Sequence, residues 1–182
     1  MIKKLILVIV CVLFSHSSFS QSTKSNIKEI RKNYKEVIKN KNSYFKRSQD
    51  LAGGSSEGGQ AIAYFDGDII RLIAASWFGE MGKTTRSYYY KNEQLFFIFE
   101  QIYTYNAPIY YDKETAKEYT NIEFFDDKKT SRLEYRYYYK NNKLIRVLDH
   151  TKKQQNLSLK DTKENGDRLL KEASDLKNLF LN

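Results

Sequence analysis

The chain has little of several residues that carry chemistry, and each shortage removes a class of function. Among 182 residues there is one cysteine, one proline and two histidines. Cys11 stands inside an apolar run near the start, so everything after that run is free of thiols. A disulfide framework and thiol catalysis are therefore excluded. His150 is the only histidine beyond residue 20. With no cysteine beside it, ordinary zinc sites and histidine-rich metal sites are excluded as well. Glycine is sparse and uneven, with four of the eight in residues 51–60 (LAGGSSEGGQ), which reads as a flexible connection. No block of five like charges occurs, so no polyelectrolyte tail is expected.

Long hydrophobic runs are also missing, apart from Leu5–Phe14 (LILVIVCVLF), a run of ten. A membrane span needs roughly 20 apolar residues, so this run is too short to be a permanent anchor. Lys3 and Lys4 precede it, and Ser18-Phe19-Ser20 follows, with small residues at the −3 and −1 positions of a cleavage site. Residues 1–20 thus have the three parts of a secretory signal peptide, with cleavage expected after Ser20. Cys11 follows Val10 within the run, not at its end, so a lipoprotein signal does not fit. Export to a periplasm or to the medium is the expectation, with no transmembrane segment left after cleavage.

What the chain has in excess is aromatic residues and positive charge. Phe, Trp and Tyr make up 15%, including 15 Tyr and 11 Phe, which favours pleated, half-buried strands. The formal net charge is +9, and without Lys3 and Lys4 it is +7. Lysines are spread along the whole chain, so solubility accounts for much of this charge.

The pattern predicts an α+β fold: an antiparallel meander of six to seven strands with an amphipathic helix at each end. Ile27, Ile30, Tyr34, Val37 or Ile38, and Phe45 recur at helical steps, so residues 23–48 read as helix and 21–50 as the N-terminal helical unit. From Ala61 the period becomes two. Strands are expected over 61–65, 69–78, 84–90, 95–105, 121–126, 131–139 and 143–149, making 61–150 the β domain. Asp66-Gly67, Asn92-Glu93 and Asn141-Asn142 read as hairpin turns, and Pro108 ends the middle pair. Residues 112–120 are polar and read as a loop or a helical turn. Within 151–182, Leu169, Leu170, Ala173, Leu176, Leu179 and Phe180 form a helical stripe, with Asp167 as its expected cap.

An internal repeat underlies the strands. Tyr88-Tyr89-Tyr90-Lys91-Asn92 with Leu95 matches Tyr137-Tyr138-Tyr139-Lys140-Asn141 with Leu144. A weaker copy begins at Tyr64-Phe65-Asp66-Gly67, and Ile69–Ile73 echoes Leu144–Leu148. Over residues 61–150 the segments YFDGDIIRLIAASWFGEMGKTTRSYYY, YNAPIYYD and EYRYYYKNNKLIRVLD together resemble uncharacterised exported proteins of Bacteroidetes type. Those carry repeated aromatic–turn–Leu-Ile hairpins behind a signal peptide. The resemblance implies an exported β-rich domain and no particular activity. The hairpins are also similar to tandem Tyr-x-x-Gly-x-Leu repeats, but the spacing here is irregular and two copies lack the glycine.

Candidate motifs fail on chemical grounds. Gly79-Glu80-Met81-Gly82-Lys83-Thr84 lacks the first glycine of a phosphate loop, where Trp77 stands, and a strand follows it instead of a helix. Asp161–Glu172 mimics a calcium loop, but Lys163 takes a ligand position and would repel the ion, so a helix-capping loop is expected there. No Gly-x-Ser-x-Gly elbow accompanies His150. Glu100, Asp112, Glu114, Glu118, Glu123, Asp126 and Asp127 are available for paired-carboxylate hydrolysis if two of them converge.

Tyrosines fall on both faces of the strands at 88–90 and 137–139, whereas one core needs one face, so the extra rings either lie under the terminal helices, the default for an aromatic stripe, or form an exposed platform. The favoured expectation is a non-catalytic binding or protein-interaction domain of the cell envelope. Its aromatic face would be ringed by Lys and Arg, with Trp77, Tyr89, Tyr138 and Arg136 as binding residues. An envelope glycan or another envelope protein is the expected partner. Neither a cofactor nor nucleic acid is expected. The alternatives are an envelope glycan hydrolase using paired carboxylates and a carrier of a small apolar ligand held between sheet and helices.

Overall fold

The computed structural model describes residues 22–53, 55, 57–118 and 122–181. The signal peptide expected over 1–20 lies outside them. Seven antiparallel strands form one sheet in sequential order: β1 (Phe45–Leu51), β2 (Gly59–Asp66), β3 (Ile69–Gly79), β4 (Gly82–Lys91), β5 (Gln94–Thr104), β6 (Ser131–Lys140) and β7 (Lys143–Leu148). Helix α1, residues 22–40, lies on one face, and α3 (Lys160–Leu181) lies on the other. A short helix, α2 (Lys113–Glu118), belongs to the long link between β5 and β6. The expected α+β meander with terminal helices is what the chain forms. Among the described residues no helix is long and apolar enough to cross a membrane.

The repeat is a repeat of geometry. In each of three hairpins a two-residue turn is followed by two paired positions and then by one extra residue in the second strand. Tyr64 pairs with Leu72 while Phe65 pairs with Ile70, leaving Arg71 extra. Tyr89 pairs with Phe97 while Tyr90 pairs with Leu95, leaving Phe96 extra. Tyr138 pairs with Arg146 while Tyr139 pairs with Leu144, leaving Ile145 extra. Such bulges increase twist and turn a side chain to the other face. They also correct the alignment of the weak copy, since Ile70, not Ile69, occupies the place of Leu144.

Asn92 and Glu93, like Asn141 and Asn142, all have positive φ, as a type I′ turn requires. The first hairpin differs. Its loop is Gly67-Asp68, one residue later than expected, with positive φ at Gly67 alone.

The N-terminal helix is shorter than its spacing predicts. It stops at residue 40, and a 3₁₀ turn, Lys41–Ser43, follows, with the Ser43 hydroxyl donating to the Asn40 carbonyl at 2.8 Å. Tyr44 is already extended, and Phe45–Leu51 joins the sheet as β1 instead of continuing the helix or forming the connection. Six of the seven β1 residues are exposed, so no burial pattern marked the strand. Pairing with the backbone of β2 decides it.

The strand expected over 121–126 does not form within the described part, 122–126. Both edges of β5 are taken, by β4 and by β6, so no free edge remains beside it. The segment is tied down by side chains. Asn106 donates to the Phe124 carbonyl and accepts from the Asp126 amide, each at 2.9 Å.

The C-terminal helix begins earlier than expected. Asp161–Glu172 is continuous helix, so it neither caps nor loops, and Asp167 is exposed inside α3. Gly166 serves a close approach. A Cβ there would sit 2.6 Å from Leu144 Cδ2, and the Tyr139 hydroxyl donates to the Gly166 carbonyl at 2.9 Å.

Each helix covers one aromatic face. Under α3 lie Phe65, Ile73, Tyr88, Tyr90, Ile98, Tyr137 and Tyr139, closed by Leu169, Ala173, Leu176 and Phe180. Under α1 lie Tyr64, Leu72, Tyr89, Phe97 and Tyr138, closed by Ile27, Ile30 and Val37. Tyrosine on both faces thus reflects two cores, because a sheet covered on both sides must be apolar on both.

Candidate binding site beside the first helix

The four residues singled out in the sequence do not share a surface. Trp77 is on the α3 face, whereas Tyr89, Tyr138 and Arg136 are on the α1 face. Tyr89 is 3% exposed and Tyr138 is 4% exposed, so neither offers an open ring to a ligand. The Tyr89 ring meets the Tyr34 ring edge-on at 5.0 Å between centroids, and the Tyr138 ring packs on Phe97 at 5.0 Å. The exposed aromatic platform is thereby corrected: helix α1 lies over it. Burial pushes the Tyr89 phenol well above its ordinary pKa, with Tyr34 adding to the effect.

Trp77 is half-buried and carries the Arg86 guanidinium over its ring at 4.9 Å. Arg86 Nε donates to Glu100 at 2.7 Å, and its Nη1 donates to Glu172 at 2.9 Å. The Tyr88 hydroxyl donates to Glu172, and the Tyr137 hydroxyl donates to Glu100 at 3.0 Å. Asn165 and Arg168 of α3 complete the network through Tyr137 and Glu172. Glu100 and Glu172 therefore share one guanidinium, and each also accepts from a phenol. Burial, then the neighbouring carboxylates, raise both phenols well above their ordinary pKa. Two carboxylates do converge here, but their oxygens are engaged by donors of the fold.

Three other candidate carboxylates serve local structure. Asp112 accepts from the amides of Glu114 and Thr115 at the start of α2. Asp126 accepts from the Lys128 amide, and Glu123 pairs with Lys129 at 2.6 Å. Residues 79–84 form the β3–β4 hairpin, with Gly79 paired to Gly82, not a phosphate loop. Among the described residues no cluster of three metal-ligating side chains occurs. His150 is exposed, with its ring edge-on to Tyr135 at 5.9 Å.

An open cleft lies on the α1 face, between the helix and strands β5 and β6. It has a volume of about 390 Å³ and is lined by Ile30, Arg31, Tyr34 and Lys35 of α1, Phe97 and Phe99 of β5, and Arg136 and Tyr138 of β6. The floor is apolar and the rim cationic. Helical spacing turns Ile30 and Tyr34 to the sheet and leaves Arg31 and Lys35 at the margin. Arg136 lies over the Phe99 ring at 4.9 Å and donates to Glu134 through Nη2 at 2.7 Å. Its Nη1 is buried without a hydrogen-bond partner in the protein. A buried donor of this kind is rare and has lost the hydration that made it stable in water. Burial pushes the Glu134 carboxyl up, but hydrogen bonding and charge from Arg136, with Arg132, outweigh this and hold it below the usual range.

Sequence reading found Arg136 and Tyr138 but missed Arg31, Lys35, Phe97 and Phe99. The signal for the helix residues was present: cations beside Ile27, Ile30 and Tyr34 at the same helical steps. Nothing in the sequence placed that flank against β5 and β6. No family model, no curated protein and no solved structure matches the chain.

Proposed function

We propose that the protein is an exported, non-catalytic binding domain of the cell envelope, and that it holds an anionic ligand with an apolar face in the cleft between α1 and strands β5 and β6. The observation that carries this reading is the cationic rim over an aromatic floor, with the partnerless Nη1 of Arg136 buried beside it. Small-ligand sites have this make-up: mostly apolar walls with a few placed polar groups, in a volume of several hundred Å³. An anionic oxygen would satisfy the orphan donor, and a guanidinium gives charge-assisted hydrogen bonds.

The non-catalytic part is supported by the carboxylates. Glu100 and Glu172 are occupied by Arg86, Tyr88 and Tyr137. The apolar floor also suits a small amphiphile, so the carrier reading shares this site. Titration calorimetry with galacturonate oligomers, dodecanoate and uncharged maltose oligomers tests the proposal. At least one anion binds while the neutral sugars do not, and Arg136→Gln weakens that binding about tenfold, as loss of a charge-assisted bond should. If no anion binds, or if Arg136→Gln leaves affinity unchanged, the cleft is not the site.

A further inference from the structure

The cleft does not end at Lys35. A larger groove, of about 1190 Å³, adjoins it and shares Arg31 and Lys35 as lining residues. One wall is the flank of α1, with Lys24, Lys28, Arg31 and Lys35; Ile145 and Arg146 of β7 and the segment at Gln154 and Leu157 complete it. Residues 24, 28, 31 and 35 follow the three- and four-residue steps of a helix, so the four cations form one line. At 1.5 Å rise per residue that line is about 16 Å long. Lys32 adds a fifth helix cation to the groove.

The charge along this groove is unbalanced. Among the described residues none of these five helix cations has an ion-pair partner, and neither has Arg146. The Arg146 guanidinium lies over the Tyr138 ring at 5.9 Å, and its Nε is buried with no hydrogen-bond partner. Among the described residues the one acid lining the groove is Glu29, and it is bound to Lys140 at 3.0 Å. On the far side of α1 the pattern differs, because Arg71 is matched by Glu36 at 3.1 Å.

Resting on the function proposed above, we infer that the ligand is a linear acidic glycan, with one ring in the cleft and the following acidic rings laid along the groove beside α1. The four cations in line suit a chain that carries charges along its length, and Arg146, whose Nε is buried, is out of reach of a flat lipid surface. A saccharide needs an apolar floor for its C–H face and donors for its oxygens, and the cleft supplies both.

The test is a length series of galacturonate oligomers, from monomer to hexamer, measured by calorimetry at two salt concentrations. Affinity rises about tenfold or more between monomer and tetramer, as a second set of contacts on one chain requires, and the salt dependence steepens with length. The double variant Lys24→Gln/Lys28→Gln loses the gain from length while monomer affinity stays as in the parent protein. Both lysines are exposed and unpaired, so the fold is unaffected. Equal affinity for monomer and tetramer overturns the linear ligand and leaves the proposed cleft standing. If dodecanoate binds and no galacturonate does, the glycan is overturned and the cleft again stands. Oligothymidylate or hexaglutamate binding as tightly as the galacturonate hexamer overturns the glycan in favour of charge alone. Binding of no anion at all removes both readings.

Discussion

The two faces of the sheet carry the same materials and use them differently. Each has an arginine over an aromatic ring at 4.9 Å: Arg86 over Trp77 on the α3 face, and Arg136 over Phe99 on the α1 face. Arg86 meets two carboxylates and sits in a network whose members are all paired. Arg136 meets one carboxylate and keeps a buried nitrogen without a partner. The difference follows from the helices. Helix α3 brings its own polar groups, Asn165, Arg168 and Glu172, down to the sheet. The only charged groups that helix α1 brings to the corresponding margin are the cations Arg31 and Lys35. A closed network stabilises a fold, whereas an open cationic margin is available to a ligand.

The sharpest way to break this contrast is to remove each arginine in turn. Arg86→Met leaves Glu100, 4% exposed, without its cation. Breaking a buried pair from one side costs about 3–5 kcal/mol, and chemical denaturation of the variant should show a loss of that size. A loss below about 1 kcal/mol, the level of a surface pair, would mean that the α3 face is as open as the other.

A second test asks whether the α3 face is sealed. Burial, the first cause for each, holds the phenols of Tyr88, Tyr90, Tyr137 and Tyr139 neutral well above their ordinary pKa of about 10. A raised folded-state pKa means that the unfolded chain releases these protons first. The contribution to stability is therefore complete below about pH 10 and declines as pH rises above it. In an alkaline titration these phenolates should appear in the same interval in which circular dichroism reports loss of the sheet. Ionisation near pH 10 with the sheet intact would show that water reaches this face.

The smallest expected effect is on the α1 face. Arg136→Gln should change stability by about 1 kcal/mol or less, since the pair with Glu134 is half-buried and Arg132 still reaches that carboxylate at 3.2 Å. Its signature is local. The Glu134 carboxyl, held low in the parent protein, should titrate closer to the ordinary value of about 4.3 in the variant, followed by nuclear magnetic resonance. Because its folded-state pKa is depressed, the contribution of Glu134 is present above that ordinary value. It is lost as pH falls through the folded-state pKa. An unchanged titration would mean that Arg136 does not act on Glu134.

Several features were legible in the order of residues because they depend on neighbours close in the chain. Alternation of aromatic and polar side chains marked β2 to β7, and the Asn-containing turns marked two hairpins, since positive φ at both positions admits few residue types. The apolar stripe marked α3 although its start was placed too late, since Lys160–Glu164 has no apolar residue to signal it.

Other features depend on what lies across the fold. Strand β1 has almost no buried residue of its own and exists because β2 offers an edge. The absence of a strand over 122–126 follows from β6 having taken the edge of β5. Tyr89 and Tyr138 looked like a platform because a strand pattern shows which residues share a face but not what covers it. That α1 crosses these rings, and that Arg31 and Lys35 thereby meet Arg136, is a matter of long-range packing between residues far apart in the chain. The sequence by itself determined strands β2 to β7, the two terminal helices in outline, the repeat and the aromatic residues on both faces, since these are local periodicities. Only the tertiary structure decided which face was closed by polar partners and which was left with unpaired cations, because that depends on the helix docked against it.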